Sequence, residues 1–345
     1  MTAPCDFTRI PVVDVSPLSH GSLQARRRVA HALGRAAREV GFMYVTGHGI
    51  PDGLFDDLLR MTKEFFALPY EDKMRCWIGA SRNHRGYVPK GEEVFAGGSP
   101  DHKEAFDLSI DLPADDPDYL AGNPLLGPNQ WPDLPGFKEA VTRWYDAVFD
   151  LGRTLFQGFS VALGLAPDAF DRYLTKPPSQ LRLIHYPYDR SAQDRPGIGA
   201  HTDYECFTLL RPTAAGLEVM NGAGTWIDAP PLGDAFVINI GDMLELWTGG
   251  EFAATTHRVR KVSEERYAFP LFFSVDYATR VAPLPGFPEV PGVSELVAGE
   301  HLFAQTAQTF RYLRQRVADG EISLPGSALA LSSFGQEARQ SSPAD

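Results

Sequence analysis

Apolar residues recur at Leu23, Val29, Leu33, Ala36, Ala37 and Val40 with arginines between them, a spacing that gathers them on one stripe of a helix. Gly41 interrupts the pattern, and the continuous apolar run Phe42-Met43-Tyr44-Val45 reads as a strand closed by Gly47, Gly49 and Pro51. Upstream, Ile10-Pro11-Val12-Val13-Asp14-Val15 reads as a short extended segment ending in a Ser-Pro turn. A second helical pattern covers about residues 52–67, with Leu54, Phe55, Leu58, Leu59, Met61 and Phe65 on a broad face. The clearest helix is predicted over about residues 135–163, where Val141, Trp144, Val148, Leu151, Leu155 and Phe159 keep three-to-four spacing before Gly164. Residues 79–118 are rich in Gly, Pro and charge and read as loops and short strands; a long loop in a compact domain is often an active-site cover.

Beyond Pro178 the texture changes. Strand-length apolar runs appear at residues 181–186, 207–210, 216–219, 235–240 and 267–275, separated by turn residues. Such spacing predicts a sandwich or barrel. A last helix is expected over about residues 293–317, and the Ser-rich stretch after Leu331 reads as a tail. The pattern as a whole predicts a mainly β fold whose core is wrapped by helices drawn mostly from the N-terminal half.

Composition narrows the function classes. Across 345 residues, 43% apolar and 22% charged content is that of an ordinary globular chain, which excludes a disordered or fibrous protein. A formal charge of −12 repels phosphate backbones, so no nucleic-acid partner is expected. No run approaches the roughly 20 apolar residues of a membrane span, and no secretory signal is visible, so no membrane partner is expected. Cys5, Cys76 and Cys206 show no CxxC spacing and cannot form a fully paired disulfide framework, which points to a reducing cytoplasm. The oligomeric state is not readable.

The candidate chemistry lies among nine histidines. Ala200-His201-Thr202-Asp203 gives the one His-x-Asp, and on a strand residues i and i+2 share a face. His257 sits in a second β-like run, Thr255-Thr256-His257-Arg258-Val259. Two imidazoles and a carboxylate form the facial triad that leaves coordination positions open on non-haem Fe(II). The competing His102-Lys103-Glu104 lies among other charges and reads as a solvated loop.

An ordered series of stretches carries a family resemblance. It begins with Ile10-Pro11-Val12-Val13-Asp14, Gly41-Phe42-Met43-Tyr44-Val45-Thr46-Gly47-His48-Gly49-Ile50, Phe65-Phe66-Ala67-Leu68-Pro69, Lys73 and Arg85-Gly86-Tyr87. It continues through Leu181-Arg182-Leu183-Ile184-His185-Tyr186-Pro187, Gly199-Ala200-His201-Thr202-Asp203, Gly216-Leu217-Glu218-Val219 and Trp226. Asn239-Ile240-Gly241-Asp242, Thr248-Gly249-Gly250, His257-Arg258-Val259 and Arg266 close it. Over roughly residues 10–275 the chain resembles the isopenicillin N synthase-like group of Fe(II)/2-oxoglutarate-dependent oxygenases.

That resemblance implies a double-stranded β-helix (jelly-roll, cupin-like) core. It implies an N-terminal region over 1–120, a core with a long support helix over 121–310, and a C-terminal helix end and tail over 311–345. It implies Fe(II) held by His201, Asp203 and His257, with 2-oxoglutarate and O2 as co-substrates. Arg266 matches the arginine that holds the distal carboxylate of 2-oxoglutarate, a role suited to a guanidinium fork. Tyr186 matches a tyrosine reaching the co-substrate or substrate. The implied reaction is oxidation of a small molecule, by hydroxylation, desaturation or cyclisation, with release of succinate and CO2. The substrate is read as an amino acid or natural-product intermediate.

Two departures stand out. Family members commonly carry Arg-x-Ser, whereas this chain has Arg266-Tyr267-Ala268, with Thr208 or Tyr186 available to compensate; Ile184 stands where an asparagine is frequent. For substrate contacts, Arg85 offers a guanidinium for a carboxylate, Glu92 a carboxylate for a cation, and Tyr204 a side chain beside the His-x-Asp. The Gly86-to-Val94 segment also resembles that of bacterial ethylene-forming enzymes. Cys206 reads as packing. An oxidase that does not use 2-oxoglutarate, an ethylene-forming activity and a non-catalytic metal-binding sensor stay open at this stage.

Overall fold

The computed structural model describes residues 5–94, 103–188, 198–260, 264–290 and 295–326. Its N-terminal part runs through β1 (Val12–Asp14), α1 (Ser16–His20), α2 (Leu23–Glu39), β2 (Phe42–Thr46), α3 (Asp52–Phe66) and α4 (Tyr70–Met74). Next come β3 (Gly86–Val88), β4 (Glu104–Leu108), α5 (Pro117–Leu120) and the long α6 (Phe137–Ala162). The β-rich part follows as β5 (Gln180–Tyr186), β6 (Ile198–His201), β7 (Phe207–Pro212), β8 (Leu217–Met220), β9 (Trp226–Asp228) and β10 (Phe236–Ile240). After α7 (Asp242–Trp247) come β11 (His257–Val259), β12 (Arg266–Phe273), the short pair β13 (Arg280–Val281) and β14 (Leu296–Val297), then α8 (Ala298–Thr309) and α9 (Arg311–Ala318).

The strands form an eight-stranded sheet in the order β1-β2-β10-β7-β12-β5-β4-β3 and a four-stranded sheet in the order β6-β11-β8-β9. All neighbouring pairs in these two sheets are antiparallel except β1 with β2. The larger sheet draws strands from both sides of residue 120: β4 pairs with β5, and β2 with β10. The boundary implied there therefore runs through one continuous sheet.

The strand period of two sorts side chains onto two faces. Tyr267, Phe269, Leu271 and Phe273 of β12 join Leu181, Leu183, Phe207 and Leu209 in the main core. Trp144, Phe156 and Phe159 of α6 seal that face, each at most 1% exposed. Gly152 marks the close approach, since a Cβ there would lie 2.3 Å from Phe273. On the opposite face Arg266, Ala268, Pro270 and Phe272 line a cavity between the two sheets, together with Arg182, Ile184, Tyr186, Thr208 and Leu210. Both faces are covered, which is why these strands read as continuous apolar runs rather than alternating ones.

Two local expectations change. The predicted terminal helix is interrupted: Phe310 is extended (φ −87°, ψ 128°) and separates α8 from α9. The six-residue α7 was not expected, because a helix of that length has too few turns to show a period. The Ser-rich tail lies outside the described residues.

Candidate active site

β6 ends at His201, and β11 begins at His257 directly opposite it in the antiparallel register. Asp203 lies just past the end of β6, so strand alternation does not place it. The turn that follows the strand brings its carboxylate to the imidazoles instead. One potential ligand atom from each of His201, Asp203 and His257 lies within 4.8 Å of the others.

The groups around the three residues fix which atoms face one another. His201 Nδ1 lies 2.8 Å from the Gly199 carbonyl and His257 Nδ1 lies 3.2 Å from the Thr255 carbonyl. A carbonyl only accepts, so each Nδ1 carries a proton and each Nε2 is the atom turned toward Asp203. Both Nε2 atoms lie 3.5 Å from Asp203 Oδ1. Asp203 Oδ2 accepts from Thr208 Oγ1 at 2.5 Å and from Asn239 Nδ2 at 2.7 Å. The carboxylate is thereby aimed with Oδ1 toward the imidazoles. Two oriented imidazoles and one held carboxylate form a donor set suited to Fe(II), with orienting hydrogen bonds behind each group. Burial pushes the Asp203 carboxyl up, but the two imidazoles outweigh it and hold the group well below the usual carboxylate range. Burial and the Asp203 charge push Glu205, which also lines the cavity, up to about 8.

Arg266 is 1% exposed, which removes the reading of it as a surface arginine. Its Nε donates to the Ala214 carbonyl at 3.2 Å, and the guanidinium carbon sits 4.8 Å from the centre of the Tyr186 ring, its cross-strand neighbour. Nη1 has no hydrogen-bond partner among the described residues. A buried cation with an unused donor on a cavity wall calls for an anion. Ala268 lies two residues on, on the same lining face, with no hydroxyl to share that anion. Thr208 cannot substitute freely, because its hydroxyl is committed to Asp203.

Of the expected substrate contacts, only Tyr204 lines the cavity. Arg85 is not among the lining residues: it is 1% exposed, and its Nη atoms donate to the carbonyls of Asn83, His84 and Leu125. Short-range carbonyls capture its fork and make it a brace for the turn ahead of β3. Glu92 likewise faces the C-terminal segment, accepting from the Tyr312 amide at 2.9 Å. The neighbouring Glu93 lines the cavity in its place, paired with Arg182 and Lys103.

The reading of residues 102–104 as solvated fails for its last two members, since Lys103 and Glu104 are 3% and 4% exposed. Glu104 accepts from Lys73 Nζ at 2.7 Å and from Tyr87 at 2.6 Å, with His185 Nδ1 at 2.9 Å. His102 falls outside the described residues. Sequence reasoning also missed Arg182 and His84. Arg182 stands in an otherwise apolar strand run, a position that demands buried partners, and it finds Asp107 and Glu93. His84 left no comparable signal in the sequence.

The cavity holds about 110 Å³, room for a small molecule. Comparison with known proteins agrees with this geometry. Residues 10–134 match the family described as non-haem dioxygenase in morphine synthesis, N-terminal, and residues 177–275 match the 2OG-Fe(II) oxygenase superfamily. The chain is 35% identical to a homoarginine-6-hydroxylase of Oryza sativa subsp. japonica, covering 88% of this chain and 98% of that protein. It is 34% identical, with the same coverage, to the 2-oxoglutarate-dependent dioxygenase tropC of Talaromyces stipitatus. A crystal structure of a full-length Neurospora crassa protein in complex with alpha-KG and thymine superposes with a TM-score of 0.75 at 25% identity, covering 91% of this chain and 98% of that one.

Proposed function

We propose, for a chain that belongs to the Fe(II)/2-oxoglutarate-dependent oxygenase superfamily and is built on its double-stranded β-helix core, a specific assignment of roles. The protein is an Fe(II)- and 2-oxoglutarate-dependent dioxygenase that oxidises a small molecule. In the proposed assignment His201, Asp203 and His257 hold the iron, and Arg266 holds the distal carboxylate of 2-oxoglutarate with Tyr186 packed against its guanidinium. The observation that carries it is the placement of the His-Asp-His set and of the buried, underused Arg266 around one cavity.

When bound, iron and 2-oxoglutarate supply the oxidative decarboxylation, consuming O2 and releasing succinate and CO2, that is coupled to oxidation of a substrate C–H bond. The chain's own part is positional. Thr208 and Asn239 lock the Asp203 carboxylate, the Gly199 and Thr255 carbonyls lock the two imidazoles, and Leu210, Leu217 and Val259 give the cavity apolar lining. Such fixed positioning spares reorganisation during the reaction. Hydroxylation is the proposed outcome, a reading supported by the hydroxylase relative. We also place the protein in the cytoplasm, a reading supported by three free cysteines.

The test is anaerobic Fe(II) titration followed by O2-dependent succinate formation. The wild type is expected to bind Fe(II) and release succinate, and Asp203→Ala to do neither. A fully active Asp203→Ala protein overturns the ligand assignment. Absence of succinate from iron-loaded wild type overturns the use of 2-oxoglutarate.

A further inference from the structure

His84 lines the same cavity as the His-Asp-His set, yet it belongs to the turn ahead of β3, far from those residues in sequence. It is 3% exposed. Its Nδ1 lies 2.6 Å from the Tyr312 hydroxyl, and its Nε2 is buried with no hydrogen-bond partner among the described residues. Native structures rarely leave a buried polar atom unsatisfied, and one on a ligand cavity is placed to meet a ligand or an ordered water. Nδ1 is the single partner of the Tyr312 hydroxyl among the described residues, and with the hydroxyl as donor to Nδ1 the neutral ring carries its proton on Nε2. The ring is clamped edge-on by Phe310, with centroids 4.6 Å apart, and its backbone holds a left-handed φ of 59°. A non-glycine residue in that region is uncommon and is retained where its side chain must point one way.

We propose that His84 positions the substrate by donating a hydrogen bond from Nε2 to an oxygen acceptor, a carbonyl or carboxylate, on the molecule to be oxidised. Burial, with the Arg85 and Arg182 cations close by, holds this imidazole neutral, so that one nitrogen accepts while the other donates. A cationic ring could not accept the Tyr312 proton. The α8–α9 break supports the same arrangement: Phe310, in the break, and Tyr312, in the first turn of α9, are the residues that grip His84. The proposal rests on the dioxygenase reading above and adds to it the hydrogen-bonding class of the substrate.

The experiment uses full-length protein labelled with ¹⁵N-histidine and loaded with Zn(II) in place of Fe(II), together with 2-oxoglutarate. The His84 signals are identified by their loss in His84→Gln. The expected spectrum shows protonated Nε2 and unprotonated Nδ1, and a downfield shift of Nε2–H when one of three oxygen-bearing probes is added: L-homoarginine, thymine or 3-phenylpropionate. For the probe that shifts it, His84→Ala in the iron enzyme is expected to raise KM ten- to hundred-fold with kcat changed less than threefold. His84→Asn, which tolerates the left-handed backbone and keeps a donor, is expected to restore most of the affinity. A proton on Nδ1 overturns the proposal. So does a set of probes none of which moves Nε2–H in a protein that still converts 2-oxoglutarate to succinate, and so does His84→Ala that lowers Tm but leaves KM unchanged. Loss of Fe(II)-dependent succinate formation in the wild type would instead sink the underlying dioxygenase reading.

Discussion

If Arg266 holds 2-oxoglutarate as proposed, replacing it by lysine isolates the part of co-substrate binding that depends on shape rather than charge. Lysine keeps the positive charge but loses the planar fork, so a bidentate grip on a carboxylate becomes a single contact. The structure supplies the size of the loss. Arg266 is 1% exposed, its Nε is spent on the Ala214 carbonyl, and Nη1 has no partner among the described residues. One charge-assisted hydrogen bond in such a site contributes about 1.5–3 kcal/mol. At about 1.36 kcal/mol per factor of ten, KM for 2-oxoglutarate should rise roughly 10- to 150-fold. The assay is initial-rate succinate formation against 2-oxoglutarate at saturating Fe(II), with anaerobic Fe(II) titration as the control. Iron affinity should hold, because Arg266 is not among the three residues whose ligand atoms cluster. Ala268→Ser, on the same cavity face, should act in the opposite direction and lower that KM by up to about tenfold, one neutral hydrogen bond's worth. An Arg266→Lys enzyme whose KM for 2-oxoglutarate stays within about twofold of wild type would refute the reasoning, since ~0.4 kcal/mol is below any charge-assisted hydrogen bond.

Two further predictions concern buried charges in and beside the cavity lining. Arg182→Leu leaves Asp107 and Glu93 without the guanidinium that now contacts both; chemical denaturation should show a loss of about 3–5 kcal/mol, and a loss under about 1 kcal/mol would contradict the pairing. Glu104 is held down to about 2 despite burial, through His185, Lys73 and Tyr87. Its folded-state pKa lies below its ordinary value, so the stability it contributes is present above about pH 4.5 and lost as pH falls through about 2. Glu104→Gln should therefore cost on the order of 3 kcal/mol near neutral pH, with the gap from wild type closing between about pH 4.5 and 2. A gap that stays constant across an acid titration of stability would count against this origin.

Much of the fold was legible because its elements are long or doubly buried. α2, α3 and α6 bury one stripe each, and that stripe repeats often enough to be seen. The strands of the large sheet are covered by α6 on one side and the cavity on the other, so they read as plain apolar runs. His201, Asp203 and His257 were found by residue type and by resemblance, but the alternation argument that paired the first two does not hold, because β6 ends at His201. Arg85 was misread because an arginine in a polar loop looks available, while in the fold nearby carbonyls enclose it. His84 was invisible for a different reason. Its role depends on Phe310 and Tyr312, more than two hundred residues away, and no local spacing encodes such a meeting.

With the proposed ligands, the pairing of His257 with His201 would tie iron to the registry of a very short strand. β11 spans three residues and meets β6 at only two positions with a shift between them, so the ladder by itself specifies alignment weakly. On its other edge Arg258 stands opposite Glu218, with Nε 2.7 Å from the carboxylate, and covers Trp226 from outside the cavity. A slip by one residue would turn His257 outward and carry Arg258 in among the ligands. In the proposed assignment, a metal held by His201 and His257 would act as a clasp that admits one alignment and penalises every other. Amide exchange along β6 and β11 should accordingly slow when iron is bound, so that these few backbone protons report how fully the enzyme is loaded.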